Sequence, residues 1–249
     1  IMSYAELHCL SHYSFLRGAS HPADLIKTAK SLGYQALAIT DECSLAGVVK
    51  AHTAAQGSNL HLILGSEFKL DGHRLISLVT NQQSYSELSS LITLARRRSE
   101  KGEYQIKWSD IQHNLHNSLV IWLPSKHPRN DNQIATKLIK WFSGRLWIGV
   151  EHLLSGAESA DYRYLYNLAT LWEIPMVASG DVHMHCKQRR ALQDTLTAIK
   201  YNCSVMELGL RRFSNAERYL RPLSYLKKIY PPSLIIETLK IAQRCTFCL

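Results

Sequence analysis

Residues 36 to 42 read Ala36-Leu37-Ala38-Ile39-Thr40-Asp41-Glu42, a short apolar run that ends on two carboxylates. A run this short, bounded by polar residues and closed by a β-branched threonine, marks a strand. Helical signals lie on both sides of it. Upstream, Ser20-His21-Pro22 pairs a cap with a proline in the first turn, Leu25, Ile26, Ala29 and Leu32 follow with helical period, and Gly33 stops the helix. Downstream, Leu45 to Gln56 has the same period and ends at Gly57.

The pattern recurs along the chain. Further strands are expected near Tyr4 to His8, Leu60 to Leu64, Leu75 to Val79, Ser118 to Leu123, Leu146 to Val150 and Met176 to Ser179. Helices are expected over Ser84 to Arg98, Asn132 to Phe142, Ala160 to Trp172 and Arg189 to Ile199. Strand and helix in alternation with short connections argue for an α/β fold of mainly parallel strands, either a closed barrel or an open doubly wound sheet. After Asn202 the strand signal stops, and Pro231-Pro232 introduces a helix from Ser233 to Cys245. The expected organisation is a barrel over residues 1–200 and a helical extension over 201–249.

With 249 residues and 46% hydrophobic content, the chain can bury one large core. No stretch approaches the roughly 18 uninterrupted apolar residues of a membrane span, and Ile1 to Glu6 lack the basic and apolar regions of a signal peptide. A cytoplasmic protein with no membrane partner is expected. Ile1 in front of Met2 reads as a remnant preceding a natural start. The six cysteines are scattered and expected to be free thiols; Cys245 and Cys248 have the spacing of half a zinc site, but no second pair follows and helix-end packing explains them. A net charge of +9 favours a polyanionic partner where it clusters, as at Arg96-Arg97-Arg98, Arg189-Arg190, Arg211-Arg212 and Arg218 to Lys228.

Ionisable residues gather where the expected strands end, the place where α/β barrels build their sites. His8 ends the first strand, Asp41 and Glu42 the second; Glu67 follows Leu62-Ile63-Leu64-Gly65, and Asp181 and His183 follow Met176-Val177-Ala178-Ser179-Gly180. Carboxylates and imidazoles converging on one rim suit Zn, Mn or Fe and the activation of a water for phosphoester hydrolysis. Taken singly, each motif is more often a helix cap or a hydrogen-bonded loop than a ligand.

In order along the chain, these residues resemble the PHP domains of bacterial error-prone DNA polymerases, which are similar to the polymerase III alpha subunit. Glu6-Leu7-His8-Cys9-Leu10-Ser11-His12 resembles the family's first motif, and Ile39-Thr40-Asp41-Glu42 its second. Leu64-Gly65-Ser66-Glu67-Phe68 resembles the third, and Ser179-Gly180-Asp181-Val182-His183 the last. The resemblance implies a distorted seven-stranded (β/α)7 PHP barrel with a C-terminal helical extension, carrying a multi-ion metal cluster at its rim in active members. It also implies that the polymerase's own carboxylates and their Mg lie outside this chain. The implied partners are the remainder of the polymerase, DNA, and other mutagenesis or replication proteins.

Against that pattern several ligands are missing. Leu10 stands where active members have the second histidine of His-x-His, Glu42 where they have histidine, and Leu75 where another is expected; Trp122-Leu123-Pro124-Ser125 supplies no replacement. His12 has the parity of His8, but four extended residues separate them by roughly 13 Å. Arg17 brings a permanent cation where the family carries an acid or histidine. The retained His8, Asp41, Glu67, Asp181 and His183, with Glu42, are expected to form a degenerate metal site holding one ion or none, with Arg17 as the counter-charge. The expected function is a scaffold for a translesion polymerase. The alternatives are a metal-dependent phosphoesterase or 3'-5' proofreading exonuclease acting on DNA ends, and a small-molecule phosphatase.

Overall fold

The computed structural model describes residues 3–249, so Ile1 and Met2, with the reading of Ile1 as a remnant, lie outside it. At its centre is a seven-stranded sheet in sequence order: β1 Ala5–Glu6, β2 Ala36–Ile39, β3 His61–Leu70, β4 His73–Leu78, β5 Leu119–Leu123, β6 Leu146–Val150 and β7 Met176–Ala178. Strands β1 to β3 are parallel to one another, as are β5 to β7, but β4 runs antiparallel to both its neighbours. The sheet is thus mainly parallel, as expected, with β4 the antiparallel exception. β3 continues well beyond Leu64 and turns through Asp71 and Gly72, both at positive φ (47° and 83°), directly into β4. Asp-Gly between two strands favours such a two-residue hairpin because its backbone twist matches theirs.

The sheet curls until its ends meet. Leu10 N donates to the Val182 carbonyl at 2.8 Å and Val182 N to that of His8 at 3.0 Å, so the segment leaving β1 lies beside the segment leaving β7. Alternation along the strands then sorts the core into two clusters. Ile39, Leu64, Leu75, Trp122, Ile148 and their neighbours face outward into helices α1 Pro22–Ser31, α2 Val48–Ala55, α3 Gln82–Arg97, α4 Trp108–Asn114, α5 Pro128–Trp141 and α6 Glu158–Trp172. Ala38, Ile63, Ile76, Ile121, Trp147 and Val177 face inward. Burying each such aliphatic side chain contributes about 1.5–3 kcal/mol.

Three more helices follow β7: α7 Arg190–Lys200, α8 Leu223–Ile229 and α9 Pro232–Arg244. α9 starts with proline in its first turn, as its sequence predicts, and packs onto the barrel: Ile241 and Ala242, with Cys245 at its end, join the inward cluster, and Thr238 Oγ accepts from Ala5 N at 3.2 Å. All six cysteines are free. No helix among the described residues is long and apolar enough to cross a membrane.

A buried polar network ties this C-terminal segment to the first strand. Glu6 accepts from His8 N and Gly180 N, each at 3.0 Å, and from the Tyr4 hydroxyl at 2.9 Å. Arg221 donates to the His152 carbonyl at 2.6 Å and to the Tyr230 hydroxyl at 3.2 Å, while Tyr34 reaches the Arg221 carbonyl at 2.6 Å. Gly180 is required here, because a Cβ at that position would lie 2.1 Å from a Glu6 oxygen.

Candidate functional site

The carboxyl ends of the strands, and the loops leaving them, bring together His8, Glu42, Glu67, Asp181 and His183 with Arg17, Arg74, Glu151 and Arg218. The inward period of β3, β4 and β6 explains three of them: Glu67 continues the face of Ile63, Arg74 that of Ile76, and Glu151 that of Trp147. Arg74 and Glu151 were missed in the sequence reading. The same parity count, carried past the strand end, is the signal that finds Glu151.

Arg17 enters from the loop after β1. That loop is tightly wound, with Gly18 so close to the Ser11 carbonyl that a Cβ would lie 1.8 Å from its oxygen. The Arg17 guanidinium pairs with Glu42 and donates to Glu67 Oε1 at 2.6 Å. Glu42 also accepts from Tyr104 OH at 2.9 Å and lies 3.4 Å from Lys69 Nζ. Arg74 grips both oxygens of Glu151 at 2.9 and 3.0 Å and approaches Asp181 at 3.3 Å, and Arg218 Nε donates to Asp181 Oδ2 at 3.1 Å. Each carboxylate of the cluster therefore has a guanidinium partner.

The imidazoles fill the remaining positions. His8 Nε2 lies 2.6 Å from Glu67 and 3.6 Å from Asp181. Burial works against its protonation, but Asp181 and Glu67 outweigh it and raise its pKa. Burial acts to raise Glu67, yet Arg17, His8 and Arg74 hold its carboxyl well below the usual range. His183 is pushed down to about 4, chiefly by burial, and its Nε2 lies 2.9 Å from Asp181 Oδ1. A neutral His183 donates Nε2–H to Asp181, which leaves its buried Nδ1 without a partner among the described residues. Burial also opposes ionisation of Asp181, but the bond from His183 and the charge of Arg74 keep it well below the usual range.

Other residues singled out in the sequence lie elsewhere. Asp41 turns its carboxylate toward the loop after β1, where it accepts from Ser11 N and Ser11 Oγ, each at 2.7 Å, and from Ser14 Oγ at 2.6 Å. Only its backbone meets the cluster, accepting from Glu67 N at 3.1 Å. The His12 ring packs on Tyr13 and His21. His73 is buried between Trp122 and Asn130.

His8, Glu151 and Asp181 each offer a ligand atom, all within 4.8 Å of one another. One nitrogen and two oxygens are an acceptable donor set for a single divalent ion. They do not fit a multi-ion cluster. Arg17 and Arg74 occupy the oxygens that further ions need, and a guanidinium keeps its charge at any accessible pH.

The curled seven-stranded sheet with its outer helices is a distorted α/β barrel. A protein described as a metal-dependent phosphoesterase from Bifidobacterium adolescentis has a TM-score of 0.52 to this chain, covering 74% of it and 88% of that protein at 16% identity. An amidohydrolase from Chromobacterium violaceum has a TM-score of 0.50, with 73% and 88% covered at 14% identity. At such identities the likeness shows the fold alone. Residues 6–125 match the PHP domain, and the chain belongs to the PHP domains homologous to the amino-terminal region of error-prone DNA polymerases. It is 48% identical over 248 residues to the error-prone DNA polymerase of Methylococcus capsulatus, covering 99% of the chain and 24% of that polymerase. Identity is 49% over 249 residues to that of Saccharophagus degradans and 49% over 246 residues to that of Pseudomonas aeruginosa, again with 24% of each relative covered. The chain thus spans about a quarter of the length of the curated relatives it matches.

Proposed function

We propose that this PHP domain is a non-hydrolytic scaffold of an error-prone, translesion DNA polymerase, with residues 1–200 as the barrel and 201–249 leading toward the polymerase region. The observation that carries this reading is the pairing of every rim carboxylate with an arginine: Arg17 with Glu42 and Glu67, Arg74 with Glu151 and Asp181, and Arg218 with Asp181. Such pairing neutralises the cluster without an imported ion and holds the loop after β1 against β3. Nucleotidyl transfer, its Mg, and the contacts to DNA and to other mutagenesis or replication proteins then belong to the whole polymerase in the cytoplasm.

The test is metal analysis of protein purified without chelator, together with hydrolysis of simple phosphoesters and trimming of single-stranded DNA in added Mn. The scaffold reading expects no stoichiometric Zn, Mn or Fe, and rates no higher than those of an Asp181→Asn, His183→Ala variant. A metal-dependent rate abolished by those substitutions overturns it. The proximity of His8, Glu151 and Asp181 supports a second reading, a single-ion phosphoesterase or proofreading exonuclease on DNA ends. In that reading His8, Glu151 and Asp181 would hold one divalent ion, whose chemistry would be to lower the pKa of water, and Arg74 would have to release Glu151.

A further inference from the structure

Helix α7 is amphipathic in the wrong sense for a free-standing domain. Gln193, Asp194 and Thr197 are buried, while Leu192 and Ile199 are exposed and Leu196 is half-buried, so an aliphatic stripe at i, i+4 and i+7 faces solvent. The 3-10 turns that follow, Val205–Arg211, extend the surface with Met206 at 97% and Leu210 at 104% exposure. This segment is held in place: Leu208 is buried, Ser204 N donates to Glu207 Oε2 at 2.8 Å, Cys203 N donates to the Ala198 carbonyl at 3.1 Å, and Arg190 reaches the Phe213 carbonyl at 2.8 Å. Gly209, at φ 51°, makes the kink that turns Leu210 outward. Beside the stripe lies a largely apolar cavity of about 340 Å³ lined by Phe15, Leu16, Ala19, Leu192 and Leu196, with His12, His21 and Arg189 also on its wall.

Large exposed apolar side chains gathered on one fixed surface mark an interaction site rather than ordinary surface. We infer that the α7 stripe, with Met206 and Leu210, is the docking surface for the polymerase region of the same chain, a partner that presents aliphatic side chains. The inference rests on the scaffold reading and gives it a location. Two observations select the occupant. The relatives are about four times as long as this chain and match it at 48–49% identity across 98–100% of its length, the α7 segment included, so a large covalently attached body is available to cover the stripe. The stripe itself, Leu192, Leu196 and Ile199 with Val205, Met206 and Leu210, is aliphatic and packs against protein; of the aromatic rings beside it, Phe15 stands at the cavity and Tyr201 already carries the Arg211 guanidinium over its face at 5.0 Å.

Hydroxyl-radical footprinting compares the isolated 249-residue chain with the full-length polymerase. Met206 and Leu210 are the reporters, and Leu171 on α6, 66% exposed, is the internal reference. The expected result is oxidation of Met206 and Leu210 in the isolated chain, its loss in the full-length protein, and its return in a full-length Leu192→Glu, Ile199→Glu variant. Equal oxidation in both proteins overturns the inference. So does protection that appears only on adding single-stranded DNA, or that appears in the isolated chain as its concentration rises, which would assign the stripe to nucleic acid or to a second copy. Metal content and phosphoester hydrolysis, measured on the same samples, report separately on the scaffold reading, so each can fail without the other.

Discussion

At the rim, Arg17, Arg74 and Arg218 each meet at least one carboxylate, whereas Arg221, 1% exposed, is bonded to none among the described residues. Its guanidinium is spent on the His152 carbonyl and the Tyr230 hydroxyl. Its acidic counterpart Glu6, also 1% exposed, is spent on two backbone amides and a tyrosine. The rim thus joins side chain to side chain, and its charges can be re-paired or exchanged for an ion with little change in backbone. The inner network joins side chains to main chain, so it fixes the path by which three distant segments meet. The first is an exchangeable cluster of charges, and the second is architecture.

The sharpest way to break this contrast is to remove one rim cation. Arg17→Met removes the chief counter-charge of the buried Glu67, leaving it His8 at 2.6 Å and Arg74 at 4.0 Å, and should destabilise the chain by up to about 3–5 kcal/mol, measured by chemical denaturation. Adding Glu67→Gln to it should restore part of the loss. If the double variant is no better than the single, the rim is not organised by ion pairing.

A somewhat smaller effect is expected from pH. His183 titrates near 4 in the folded chain, below the ordinary histidine value of about 6.5. Its unfolded form therefore binds the extra proton first, and stability should fall as pH drops from about 6.5 to 4, by roughly 3 kcal/mol in total. Glu67 and Asp181 are depressed carboxylates, so their contribution is present above about pH 4 and is lost only further into acid. Denaturation midpoints across this range should show a slope that His183→Asn flattens, and an unchanged slope would place the titration elsewhere.

Arg221→Met keeps the volume but abandons hydrogen bonds to a carbonyl and a hydroxyl, and should cost about 1.5–3 kcal/mol. Unlike the rim variant, it should not be rescued by neutralising an acid, and Glu6→Gln is the partner to try. Least affected should be Lys240→Ala, which removes an exposed pair with Glu237 and should cost under about 1 kcal/mol.

Most of the fold can be read in the sequence because each strand is a compact apolar run beside a helix with its own stop, as at Gly33 and Gly57. The strand near Leu75 to Val79 was legible, but its antiparallel direction was not, because Lys69 and Arg74 interrupt the apolar signal where the hairpin crosses the rim, although Asp71-Gly72 announced the turn. At the site, His8, Glu67, Asp181 and His183 were legible from their strand-end positions. Arg74 was not, since a charged residue inside a strand normally reads as solvent-facing. Asp41 stands at a strand end like the others, and nothing local shows that Ser11 and Ser14 turn its carboxylate away.

Because Ile241, Ala242 and Cys245 complete the inward cluster and Thr238 bonds Ala5, the first strand meets its last neighbour only when almost the whole chain is available. On the ribosome, at about 5–20 residues per second, that means on the order of tens of seconds during which β1 waits with its inner face uncovered. The nascent barrel is therefore a client for whatever shields apolar surface at the exit tunnel, and truncations before residue 245 should be recovered in the insoluble fraction.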